Sequence, residues 1–178
     1  MILTLREAQK YDPEITQDQL DGFEASLRQI TSNNFQVKGI RGYGVTISDD
    51  TIVTRRDEIS GSIRKGDTLE IYGAGVNDGL YTVKDVVGTI ITLECAPRVA
   101  GVFREAIVSL VVYPADIKIG ISNLIKYDVK MGSKIGVKSE TISRMSTTYY
   151  DATAAESVSG YPASLMNFAK KYEKMRWG

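Results

Sequence analysis

The run TLEIYGAGVNDGLYTVKDVVGTIITL, residues 68–93, carries β-branched and aromatic residues in short stretches, broken at Gly73, at Asn77-Asp78-Gly79 and at Val87-Gly88. A period near two belongs to a strand, in which successive side chains point to opposite faces. Glycine and Asn/Asp pairs between such stretches are turn chemistry, because they tolerate positive φ or bond their own backbone. The same texture extends from residue 35 to residue 113 and predicts strands over 44–47, 51–54, 68–72, 80–86, 89–93 and 106–113. Short strands at this spacing suggest a small antiparallel barrel or sandwich, since closing the sheet protects its edges.

Helical spacing replaces this pattern on both sides. Thr16 and Gln19 form a capping box, and Leu20, Phe23, Leu27 and Ile30 follow at steps of three and four. Asp18, Asp21, Glu24 and Arg28 then fall mostly on the wet faces, and Ser32-Asn33-Asn34 ends the helix by competing for backbone hydrogen bonds. Beyond the β-rich stretch, Pro114 presets a first-turn φ. Ile117, Ile121, Leu124 and Ile125 predict a second helix over 115–130, which Gly120 weakens by about 1 kcal/mol relative to alanine. Residues 135–151 read as extended. A last helix begins near Tyr161-Pro162 with Leu165, Phe168, Ala169 and Tyr172 as its apolar stripe. The fold class is therefore α+β: a small helical bundle formed by the two chain ends, 1–35 and 114–178, with an inserted small antiparallel β-barrel or sandwich over 36–113.

Composition limits the chemistry. With 43% hydrophobic and 25% charged residues the chain of 178 has the make-up of a folded, soluble globular protein. Its 22 basic and 22 acidic residues cancel, so a monomer has no long-range pull on a polyanion such as DNA. There is no histidine, which removes the commonest general base and metal ligand together. Cys95 is the single cysteine, so an intrachain disulfide is impossible and a thiolate metal site lacks its other sulfurs. The first residues show no signal-peptide core, and the most apolar stretch, 106–113, is too short to cross a bilayer as a helix. Synthesis in a reducing cytoplasm fits these features.

Several groups invite a chemical reading beside a plainer one. Gly73-Ala74-Gly75 with Gly79 could cradle a phosphate, but a strand rather than a helix follows, and an ordinary hairpin suits the context better. Asp49-Asp50, Asp57-Glu58 and Asp67 could bind a hard cation, yet each sits at a predicted turn, where such residues are common. Cys95 at a strand end reads as a buried structural thiol. Lys138, Ser139 and Tyr149 could supply a lysine-activated serine. The same run equally suits an extended segment that pairs with a neighbour. Charge is also uneven: Arg6, Lys10 and Arg28 face six acids over residues 1–35, whereas Lys170, Lys171, Lys174 and Arg176 face only Glu173 at the other end. These ends can pair within one chain or between subunits of a ring. Tyr172 and Trp177 among basic residues make a candidate docking anchor, or fold back on their own core.

The run Ser139-Glu140-Thr141-Ile142-Ser143-Arg144, then Tyr149-Tyr150-Asp151, Gly160-Tyr161-Pro162 and residues 172–177, resembles the C-terminal half of tailed-phage head-tail connector (adaptor) proteins. The capped first helix and Ile121 to Lys126 are similar to that family's helical core, and residues 66–83 are similar to small β-barrels of phage structural proteins, an insert that shorter members lack. The resemblance implies a virion structural protein without catalysis or cofactor: one subunit of a homo-oligomeric ring, commonly of twelve copies, at the head-tail junction. Such a ring docks on the portal protein, meets a stopper or other tail-side neck protein, and extends the channel through which double-stranded DNA passes with only loose contact. On this reading Ser139, Glu140, Thr141, Arg144, Tyr149, Lys170, Lys171, Tyr172, Arg176 and Trp177 are the candidate subunit or portal interface, and neither metal nor membrane is involved. Other readings are a stopper or tail-completion subunit, or a small module binding sugar or single-stranded nucleic acid on Tyr43, Tyr72 and Tyr81.

Overall fold

The computed structural model describes residues 1–56, 58–131, 139–142, 145–148 and 157–175, with 139–142 and 145–148 described by backbone alone. The chain divides into two compact units, one of Asn34–Tyr113 with Met1, the other of Ile2–Asn33 and Pro114–Gly178.

The first unit is a closed barrel of six antiparallel strands in the spatial order β1-β2-β5-β4-β3-β6. They are β1 (Gln36–Ser48), β2 (Thr51–Arg56), β3 (Thr68–Tyr72), β4 (Gly79–Val87), β5 (Ile90–Leu93) and β6 (Gly101–Val111). The fold is thus α+β with a barrel rather than a sandwich. All the predicted strands exist, but β1 starts at Gln36 rather than Gly44, and β6 at Gly101 rather than Ala106. Lys38, Gly39 and Arg41 give little strand signal; pairing of Arg41 with Ser109 and Gly42 with Val108 holds this stretch extended.

Inside the barrel lie Val45, Ile47, Ile52, Leu69, Ile71, Val83, Ile91, Leu93 and Val108, each at most 2% exposed. Branched side chains fill the interior from every strand, which is what closes the core without a partner sheet. β6 slips register against β1 between Tyr43 and Val45. Gly44 and Gly73, both at positive φ, flank this slip; a Cβ on either would stand 3.3 Å from a β6 carbonyl, that of Arg104 or of Glu105. Where the chain enters and leaves the barrel, the Phe35 and Tyr113 rings lie 4.9 Å apart and the Val112 amide donates to the Phe35 carbonyl at 3.0 Å.

The Gly73–Gly79 connection is a brace rather than a simple hairpin. A 3-10 turn at Gly75–Asn77 buries Asn77 completely. Its amide donates to the Val99 carbonyl at 2.8 Å and its oxygen accepts from the Val99 amide at 3.0 Å. Asp78 accepts from the Ala74 amide at 2.6 Å. Two other acids of the sequence reading also bond locally: Asp67 accepts from the Arg64 amide at 2.7 Å and Glu58 from the Ser60 hydroxyl at 2.7 Å, while Asp57 lies outside the described residues. Cys95, expected to be buried, is exposed; it follows Leu93, the last inward residue of β5, and so lies past the end of the inward-outward alternation.

The second unit contains α1 (Leu5–Ala8), α2 (Gln17–Thr31), α3 (Ala115–Met131) and α4 (Ala163–Lys170), with the pairs β7 (Ser139–Ile142)/β8 (Met145–Thr148) and β9 (Ser157–Val158)/β10 (Tyr161–Pro162). The Thr16–Gln19 capping box forms as read, and Ser32 closes α2 in the left-handed conformation. A second capping box, Thr4–Glu7, starts α1, a turn that the apolar pattern did not indicate. The buried face of α2 is Leu20, Glu24, Leu27 and Thr31 rather than Leu20, Phe23, Leu27 and Ile30. Glu24, expected on a wet face, is 4% exposed. The stripe is rotated because Phe23 and Ile30 line a cleft instead of the closed core.

Gly120, which costs α3 helix propensity, is explained by α4. A Cβ there would stand 2.5 Å from ring carbons of Phe168. Two opposed effects compete in Gly120→Ala: alanine gains about 1 kcal/mol of propensity, while forcing a methyl under a ring costs about 1–3 kcal/mol. The clash wins, so we expect a lower melting temperature for Gly120→Ala by calorimetry, and recovery when it is combined with Phe168→Leu.

Candidate functional site

Of the residues singled out in the sequence, Lys170, Lys171 and Tyr172 fall together at the end of α4. Asp116, in the first turn of α3, receives both of the last two: Lys171 Nζ forms an ion pair with Oδ2, and Tyr172 Oη donates to Oδ1 at 2.7 Å. An acid at a helix start also suits the helix dipole. The Lys171 hydrogen bond first, and the Tyr172 bond second, hold the Asp116 carboxyl below its ordinary range. The same contact raises Lys171, and Asp116 raises the Tyr172 phenol. The chain is then strapped to the end of α2: Asn33 Nδ2 donates to the Tyr172 carbonyl at 3.1 Å and the Lys174 amide to the Thr31 carbonyl at 2.8 Å. Lys171 and Tyr172 therefore have partners within the chain, and Lys171 pairs with α3 rather than with the acidic N-terminal stretch. Lys170 is exposed.

Ser139, Glu140 and Thr141 lie on β7. Its register with β8 is Ser139 opposite Thr148, Glu140 opposite Thr147 and Thr141 opposite Ser146. Among the described residues β7 and β8 pair only with each other, so each strand has an outer edge. Arg144, Tyr149, Arg176 and Trp177, with Lys138 of the serine-lysine reading, lie outside the described residues.

A cleft of about 360 Å³ opens beside α2 and α3. Ile15, Leu27, Ile121, Leu124, Ile125 and Met166 are among its apolar walls, and Asp12, Asp128 and Tyr161 stand at polar positions. Tyr161 is delivered by the β9–β10 turn, where Ser159 and Gly160 both take positive φ. Its hydroxyl donates to Asp128 Oδ2 at 2.6 Å, and Phe23 and Tyr127 pack at 6.5 and 6.0 Å from its ring. Burial raises the Tyr161 phenol, and the Asp128 bond adds to it. Partial burial also raises Asp128, opposed by the Tyr161 bond and assisted by the Asp12 carboxylate. The cleft escaped the sequence reading. Its signal was Gly22 and Ser26, two small residues four apart on α2 that leave room beside Phe23 and Ile30.

On the barrel, Tyr72 pairs with Ile107 and Ile107 with Tyr43, so these three cross neighbouring strands in one row. Tyr72 is 65% exposed. Tyr81, the third tyrosine proposed as a stacking surface, does not join them: it packs against the barrel core and its hydroxyl is bonded to the Asn77 carbonyl at 2.9 Å. Among the described residues no three His, Cys, Asp or Glu side chains are grouped to hold a metal, and no helix is long and apolar enough to cross a membrane.

Fold and surfaces together define an α+β protein with a closed six-strand barrel. No protein-family model matches the sequence, and no curated protein matches it either.

The Asp116 contacts carry a pH dependence. A carboxyl whose folded pKa is depressed contributes stability above its unfolded value, near 3.8, and loses that contribution as pH falls through the lower folded value. In Asp116→Asn we expect the α4 end to loosen at neutral pH, seen as faster amide exchange at Lys174. The difference from wild type should vanish once the pH is well below that of ordinary carboxylates.

Proposed function

We propose that this chain is a structural subunit of a tailed-phage virion, an adaptor in the head-tail connector ring that docks on the portal and continues the DNA channel toward the tail. The reading rests on the resemblance of residues 139–144, 149–151, 160–162 and 172–177 to connector proteins. The observation that carries it is the β7–β8 pair. A two-stranded ribbon is marginal by itself in water, and its outer edges offer backbone groups to a strand from another chain. The ribbon falls on the run whose sequence resembles the connector family. A repeated head-to-tail contact of this kind closes into a ring when the rotation between neighbours permits. The role calls for structural surfaces and for no catalyst, cofactor or metal. A near-neutral chain suits a channel that must let DNA slide. A stopper or tail-completion subunit is the nearest alternative, separated from an adaptor by copy number and by whether the portal or another neck ring is the docking partner.

Deleting the gene from the producing phage should leave packaged or emptied heads beside free tails in electron micrographs, with virions restored by complementation. Complementation by Thr141→Pro, which removes an N–H from the ribbon, should fail although the purified subunit melts as wild type does. Normal infectious particles from the deletion would sink the assignment.

A second reading is favoured by the Tyr43–Ile107–Tyr72 row: a stacking surface for a single-stranded nucleic acid or a sugar. Under it, a fluorescent oligonucleotide binds at low salt and Tyr72→Ala weakens it about tenfold, the equivalent of about 1.4 kcal/mol of stacking. No binding of oligonucleotide or oligosaccharide at low salt removes this reading.

A further inference from the structure

The cleft beside α2 and α3 has mostly apolar walls, Phe23, Leu27, Leu124 and Ile125 among them, and an acidic end. Asp12 precedes α2, and Asp128 is close enough to feel its charge. No lysine or arginine is among the described residues that line the cleft. Lys126, two residues before Asp128, stands over the Tyr11 ring at 4.6 Å instead. Two carboxylates beside an apolar space favour an apolar group that carries a cation.

The same helical unit displays such a group elsewhere. Lys170, Lys174 and Met175 border one hollow at the ends of α2 and α4, where Glu173 is the only acid among the described lining residues. Met175 is 81% exposed, more than any other large hydrophobic residue described. Both lysines are exposed, and among the described residues neither forms an ion pair, whereas Lys171 is paired with Asp116. The Lys174 amide, bonded to the Thr31 carbonyl at 2.8 Å, fixes the group in place. It does not reach the carboxylates of its own chain: the hollow lies at the end of α2 and Asp12 before its start, and Gln19 to Ile30 alone is about 16 Å of helix rise, more than a lysine side chain spans. Between two copies the surfaces match, apolar to apolar and base to acid. We propose that the cleft is an interface between copies of this chain, in which Met175 of one copy enters the cleft of the next, with Lys170 and Lys174 on Asp12 and Asp128. A methionine is unbranched and polarizable, so it fits an irregular apolar space and packs well on rings such as Phe23 and Tyr161. Knob and cleft are different surfaces, so the contact is head-to-tail and repeats. Its closure into a ring rests on the reading proposed above; the contact itself does not.

Sedimentation of the purified full chain tests it without the phage, so this inference and the virion role can fail separately. At low salt the chain should associate as concentration rises, and added salt should weaken the association, because exposed charges are screened. Met175→Ser removes the knob. Gly22→Phe fills the cleft, since Gly22 lines it and has no atom within 4 Å of a Cβ placed there. Each variant should raise the dissociation constant about tenfold or more, as the loss of one buried methionine requires, with far-UV dichroism intact. Ser26→Leu fills the same space should Gly22→Phe fail to fold. Mixed together, the knobless and the filled variants should form a 1:1 pair and nothing larger, because one supplies the cleft and the other the knob. A chain that stays monomeric up to its highest soluble concentration overturns the proposal. So does association that neither Met175→Ser nor a filling variant weakens, or a mixture that fails to pair.

Discussion

β6 is hydrogen-bonded along both sides, to β1 from Gln36 through Ile47 and to β3 from Thr68 through Tyr72. The barrel depends on that double pairing. Without it, β1 and β3 each present a free edge and the interior opens along one seam, exposing Val108 and Ala106 with the residues they touch. The β1–β6 contact joins strands far apart in sequence, and its closure entropy rises only slowly with that distance, by about 0.6 kcal/mol per doubling of the loop. The shorter hairpins β1–β2, β3–β4 and β4–β5 need only local turns. The cost of the long pairing is offset by burial of the branched interior, which is complete only when the barrel is closed. The register slip at Gly44 and the close approach at Gly73 belong to the same constraint: both glycines make room for the irregular stretch of β6 at Arg104 and Glu105.

The helical unit is held by a different economy of contacts. Phe168 fits over a glycine rather than into a pocket of side chains, which brings α4 close to α3. The polar contacts then gather at Asp116, which receives Lys171 and Tyr172 and so sets where the chain goes after α4. That geometry decides which of the C-terminal basic residues are available to a partner. Lys171 is engaged, while Lys170 projects from the surface.

Much of this was written in the sequence. Thr16 and Gln19 mark the start of α2 because the capping box is a local exchange of hydrogen bonds. The six strands are legible because alternation and turn residues act over a few positions. The misses share a cause. Gln36 to Tyr43 lacks a strand pattern and is extended by its partner; Glu24 carries a charge and is buried by what packs around it; Cys95 looked apolar by its neighbours and lies beyond the last inward position. Of the candidate interface, the C-terminal cluster was visible as a run of charge and aromatics, but not that Lys171 and Tyr172 converge on Asp116, which is distant in the chain.

The sequence by itself determined the α+β class, the order of the barrel strands, the starts of α2, α3 and α4 and most turns, since propensity, capping and periodicity are short-range. Tertiary structure alone decided that the sheet closes into a barrel, that Gly120 is needed beneath Phe168, that Lys171 is spent on Asp116, and that α2 leaves a cleft beside Phe23 and Ile30. Each of these joins side chains dozens of residues apart, and whether such atoms meet depends on packing in three dimensions, to which no local rule has access.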